Sequence, residues 1–83
     1  MVVGRVVGNI VSTRKNEHLV GFKFLEVQVY ECGQPTARHI VAVDSVGAGI
    51  GEKVLIVSGS GARVASGSRD CPVDMVIVGI VDE

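Results

Sequence analysis

The sequence has no tryptophan, and its aromatic residues are limited to Phe22, Phe24 and Tyr30. A surface that stacks nucleic-acid bases needs such rings within a basic groove. A basic excess is missing too: eight Lys and Arg stand against nine Asp and Glu, for a net charge of −1. Little is available to neutralise a phosphate backbone, so nucleic acid is not an expected partner. No apolar run approaches the ~18 residues that a membrane-spanning helix needs, so no membrane partner is expected either. The first residues, Met1 to Val11, are apolar but lack a basic lead and a small-residue cleavage site. They read as a first strand and no signal peptide, and the expected location is the cytoplasm. Cysteine is scarce: Cys32 and Cys71 lie far apart and form no CxxC pair. In a reducing compartment they are expected as free thiols, and a zinc site is disfavoured.

Catalytic groupings are also lacking. His18 stands in a polar stretch and His39 at a strand start, and neither has a sequence-evident nucleophile partner. Asp44, Glu52, Asp74, Asp82 and Glu83 show no metal-ligand spacing. Asp44 and Asp74 flank strands and are expected to accept hydrogen bonds from turn N–H groups. The expectation is a protein that is no enzyme, with no cofactor and no metal.

What the chain does have is branched aliphatic side chains. Valine occurs 18 times and isoleucine six times, against three leucines. Branching at Cβ stiffens χ1 and suits a pleated surface. Eighty-three residues make one domain, 1–83, and a chain of this size buries only roughly 60 to 65 % of its unfolded surface. Yet 47 % of the residues are hydrophobic and the mean hydropathy is +0.44. The surplus must lie on the outside, where contiguous apolar patches mark interfaces. Self-association into a closed ring or dimer is the simplest outcome.

The pattern along the chain predicts five to six short strands. Val2 to Val11 is a strand interrupted by Gly4 and Gly8, as bends or bulges in a small barrel require. Ser12 to Gly21 is a polar loop. From Phe22 to Tyr30 the residues alternate, with Lys23, Leu25, Val27 and Val29 facing one way and Phe22, Phe24, Glu26, Gln28 and Tyr30 the other. The second face mixes aromatic and polar groups, which makes Phe22 and Phe24 candidate subunit contacts. Gly33 and Pro35 mark a turn before a strand at Arg38 to Asp44. Another strand spans Lys53 to Ser58. Ser60 caps a helical turn through Ala65, with Arg63 a candidate ion-pair partner within or between subunits. Ser68 to Asp74 is a loop, and Met75 to Val81 is an apolar strand placed centrally or at a subunit contact. The fold class is all-β, and an OB-like barrel with one short helical turn fits best.

One segment stands out. Between two strands run Gly47, Ala48, Gly49, Ile50, Gly51 and Glu52. A phosphate loop would place a second glycine before Lys53 and a hydroxyl after it; Glu52 and Val54 stand there instead. No helix follows to supply a dipole. Glycine here means positive φ, close packing, or a turn crowded by its own symmetry copies.

The residues resemble a known family. Ser12-Thr13-Arg14-Lys15, Leu19-Val20-Gly21-Phe22-Lys23, the run from Val41 through the Asp44-Ser45-Val46-Gly47-Ala48-Gly49-Ile50-Gly51-Glu52 turn to Leu55, Gly59-Ser60-Gly61-Ala62-Arg63, Pro72-Val73-Asp74 and Ile77-Val78-Gly79-Ile80-Val81-Asp82 are similar to the EutN/CcmL family. Gly61, where the family often has serine, and Cys71 depart from the pattern. The resemblance implies a five-stranded OB-like barrel that assembles as a homopentamer. It also implies a structural role at the vertices of a bacterial microcompartment shell, such as a carboxysome, with hexameric shell proteins as partners. Within such a ring, Gly47 to Glu52 is expected nearest the fivefold axis, lining a pore. The competing reading is a stand-alone OB-like module that binds a small ligand or nucleic acid.

Overall fold

The computed structural model describes residues 1–11, 16–65 and 73–83, without the side chains of Ser60, Arg63 and Val64. The Ser12-Thr13-Arg14-Lys15 segment, Cys71, Pro72 and most of the Ser68–Asp74 loop lie outside the described residues. Five strands, β1 (Val2–Ile10), β2 (Lys23–Glu31), β3 (Gln34–Asp44), β4 (Lys53–Ser58) and β5 (Met75–Ile80), close into a barrel in the order β1-β2-β3-β5-β4. A 3-10 turn at Glu17–Leu19 precedes β2, and a short helix, α1 (Ser60–Ala65), follows β4. The all-β barrel with one short helix is therefore the fold that the sequence predicts.

Closure follows from the residue pattern. Leu25, Val27 and Val29 of β2 are buried, as are Val54 and Ile56 of β4. With Val6, Ala42, Ala48 and Ile77 most of them form the main core. A second cluster of Val43, Ala62, Val73 and Val76 lies under α1, with Leu19, Phe22, Phe24 and Val57 packed against it. Lys23, which the alternation places on the inner face, is the exception. It sits at the barrel end, where its side chain reaches out to Ala48 in the turn between β3 and β4.

Two features were hidden in the sequence. β3 begins at Gln34, four residues ahead of the expected start, and takes in Pro35. Proline is tolerated on an edge because its missing N–H costs no ladder bond there. The far half of β3 is such an edge: β3 pairs with β5 only at Val43↔Val76 and Asp44↔Ile77. Gly4 sits opposite Val29 and serves a close approach of two strands. A methyl group on it would lie 2.3 Å from Val27 Cγ1 and 2.8 Å from the Gln28 carbonyl oxygen. The predicted bend instead falls between Val6 and Gly8, where the β1–β2 register shifts.

Candidate functional site

The glycine turn joins β3 to β4 at one end of the barrel, and side chains from three strands hold it. Asp44, the last residue of β3, is almost fully buried at 2 % side-chain exposure. Its Oδ1 accepts hydrogen bonds from the Val46 and Gly47 N–H groups at 3.0 and 3.1 Å, and its Oδ2 accepts from Ala48 N–H at 2.9 Å. This is the turn-capping role that the sequence predicts for Asp44, extended to three donors. Glu52 closes the other side by accepting from Gly49 N–H at 2.7 Å. Lys23 Nζ donates to the Ala48 carbonyl at 2.8 Å and lies 3.7 Å from Asp44 Oδ2. The β1 backbone takes part too: Gly51 N–H donates to the Val6 carbonyl and Val6 N–H to the Glu52 carbonyl.

Arg5 completes the arrangement from β1. Its Nη1 donates to the Gly51 carbonyl at 2.8 Å, its Nε to the Tyr30 hydroxyl at 3.2 Å, and its Nη2 to Glu83 at 2.6 Å. The hydrogen bonds to Tyr30 and Glu83 push the Arg5 guanidinium above its ordinary value. Sequence reasoning passed over Arg5 and Lys23 because their partners lie 46 and 25 residues away.

This geometry answers the question that the glycines raise. Gly47 and Gly51 adopt φ of +82° and +92°, a region that an L side chain enters at a cost. Ala48 is small because its methyl group is fully buried in the barrel's own core. The turn is no anion cradle: the N–H groups of Val46, Gly47, Ala48, Gly49 and Gly51 already have partners within the protein. What it offers outward is Ile50, 63 % exposed, beside the exposed Glu52.

The remaining candidates sit elsewhere. Phe22 and Phe24 flank Lys23 and are half-buried against the second cluster. Arg63 lies on α1, and its side chain is outside the described residues. His39 Nδ1 is 2.7 Å from Glu26 on the outer surface of β2 and β3, and His18 Nδ1 is 3.0 Å from Asn16. Cys32 is an exposed free thiol at the tip of the β2–β3 hairpin. Among the described residues no group of three His, Cys, Asp or Glu is placed to hold a metal ion. Among the described residues no helix is long and apolar enough to cross a membrane.

Residues 1–82 match the family described as ethanolamine utilisation protein EutN/carboxysome. The carboxysome shell vertex protein CcmL of Gloeobacter violaceus is 49 % identical over 83 residues, covering 99 % of this chain and 83 % of the relative. The bacterial microcompartment shell vertex protein EutN of Salmonella typhimurium is 46 % identical over 84 residues, covering 100 % and 85 %. Among solved structures, the GrpN pentameric microcompartment shell protein from Rhodospirillum rubrum superposes with a TM-score of 0.89 at 45 % identity, covering 100 % of this chain and 95 % of that one. The structure of Gloeobacter violaceus CcmL gives a TM-score of 0.93. The chain belongs to the EutN/CcmL family and is a structural shell vertex protein, not an enzyme.

Proposed function

We propose that this chain forms a homopentamer that caps the vertices of a bacterial microcompartment shell and meets hexameric shell proteins along its rim. The observation that carries the reading is the full-length match to a pentameric shell protein. A lattice of hexagonal tiles closes only where pentagons occupy its corners. The surplus of exposed apolar side chains, among them Val7, Ile10, Val41 and Ile50, is what a ring interface consumes. A role as a nucleic-acid module has little support. Tyr30 is already engaged by Arg5 and Lys53, whose charged ends lie 5.6 and 5.5 Å from its ring centre, and the net charge is −1.

In this reading the Gly47–Glu52 turn is an assembly contact. One placement puts it nearest the fivefold axis, lining a pore. A second places it at the rim against a neighbouring tile. The second is favoured by one observation: the sizes of Gly47, Ala48 and Gly51 are accounted for within the protomer, so crowding by symmetry copies is not needed to explain them. Native mass spectrometry of the purified protein tests the pentamer, and a monomer there removes the proposal. Ile50→Glu separates the two placements. On the axis, five glutamates face one another and the pentamer weakens. At the rim, the pentamer persists and co-assembly with hexameric tiles fails.

A further inference from the structure

We infer that residues 81–83, which follow β5, act as a latch on the glycine turn: Glu83 orients the Arg5 guanidinium, and Arg5 in turn fixes the last peptide of the turn. This goes beyond the vertex reading and concerns the protomer alone. Arg5 meets three segments that are far apart in the chain. Tyr30, Gly51 and Glu83 lie 25, 46 and 78 residues from it. The planar guanidinium serves all three at once because its N–H groups point in fixed, divergent directions. Of these acceptors Glu83 alone carries charge, and hydrogen bonds to ionised partners are the stronger kind.

That charge decides where the guanidinium sits. Arg5 stands directly opposite Lys53 in the β1–β4 pairing, and like charges so placed repel. Both cations also face one ring, 5.6 and 5.5 Å from the Tyr30 centre. The Glu83 carboxylate, 2.6 Å from Arg5 Nη2, offsets one of the two charges. Without it the cations push apart, and Arg5 is left with two neutral acceptors. Val81 N–H donates to the Lys53 carbonyl at 2.8 Å, which keeps the start of the segment alongside β4 and Glu83 within reach.

The guanidinium controls the Gly51–Glu52 peptide. The oxygen of this peptide accepts from Arg5 Nη1, and its N–H, that of Glu52, donates to the Gly49 carbonyl at 3.1 Å. Gly51, at φ +92°, has no side chain to restrict rotation of the peptide. Arg5 supplies the restraint that glycine lacks. The Arg5 and Glu83 side chains are 31 % and 51 % exposed, and an ion pair this open contributes little to overall stability. It can release without unfolding the barrel. A group that draws Glu83 away would therefore loosen the turn beside Ile50.

Amide hydrogen exchange in the purified protein tests the latch. Glu83→Ala is expected to speed exchange of the Glu52 N–H about fivefold, while the N–H of the core residue Val27 keeps the parent rate. Adding Lys53→Met is expected to bring the Glu52 rate back to within about twofold of the parent, because the opposing cation is gone. A Glu83 that only packs against its neighbours would not be rescued in this way. Arg5→Ala is expected to loosen the peptide at least as far, and adding Glu83→Ala to it is expected to change nothing more. A Glu52 rate that Glu83→Ala leaves at the parent value, an additive double variant, or a Lys53→Met that restores nothing overturns the latch. The Glu83→Ala and Lys53→Met arms decide the matter even where Arg5→Ala does not fold.

Discussion

Of the turns that enter the left-handed backbone region, the tip of the β2–β3 hairpin and the glycine turn are held in opposite ways. At the tip of the β2–β3 hairpin, Cys32 and Gly33 adopt φ of +51° and +76°. Both values are positive, as in a type I′ turn, whose twist matches the flanking strands. The tip is exposed, and its geometry comes from the Glu31↔Gln34 pair beside it. The glycine turn also has two positive φ values, but Asp44, Lys23 and Arg5 fix it from three strands and Glu52 braces it from within. A local backbone rule shapes the first turn. Distant side chains pre-order the second, and pre-ordering lowers the entropy cost of making a contact.

Substitutions should separate the two turns, with stability read as urea midpoints at one fixed protein concentration, since assembly couples to folding. Asp44→Ala should have the largest effect, a loss of about 2 to 3 kcal/mol. It removes the acceptor of three turn N–H groups and leaves that of the buried Ala48 without a partner. A loss below about 0.5 kcal/mol would show that the turn keeps its shape without this anchor. Gly51→Ala should cost about 1 to 2 kcal/mol through the left-handed strain alone, since nothing lies within 4 Å of the added methyl. Glu52→Ala should cost about 0.5 to 1.5 kcal/mol, for one charged acceptor at an exposed site. Cys32→Asn should change the sign: a gain of up to about 1 kcal/mol, because Asn-Gly suits the two positive φ values better than Cys-Gly. An Asn that destabilises the tip would mean that the Cys32 side chain makes contacts beyond the turn.

Much of the barrel was legible in the sequence because its signals are short-range. The β2 alternation assigned Leu25, Val27 and Val29 to the core, and Lys53–Ser58 and Ser60–Ala65 fall where the strand and helix patterns put them. The early start of β3 was masked by Pro35, which reads as a turn signal unless the open edge is known. Gly4 read as a bend, whereas its reason is a contact with Val27 across the sheet. At the turn, the sequence assigned Asp44 to turn N–H groups, and it accepts from three of them. Ala48 read as a small residue for crowding, but its methyl group fills the barrel's own core. Arg5 and Lys23 were invisible because only the closed barrel brings them to the turn.

The joint between β3 and β5 sets how this barrel comes together. The other neighbouring strands pair antiparallel over longer stretches, while this parallel joint has two register pairs, supplemented by Ser45, whose N–H and hydroxyl both donate to the Ile77 carbonyl. It also links residues more than thirty positions apart, so its closure entropy is not repaid until the neighbouring strands are in place. The hairpin of β2 and β3 can form early, and the β3–β5 joint is the last to shut and the first to open. Amide exchange should be fastest along that seam in the lone protomer. A subunit docked across that seam would hold it closed and so finish the folding of the protomer it touches.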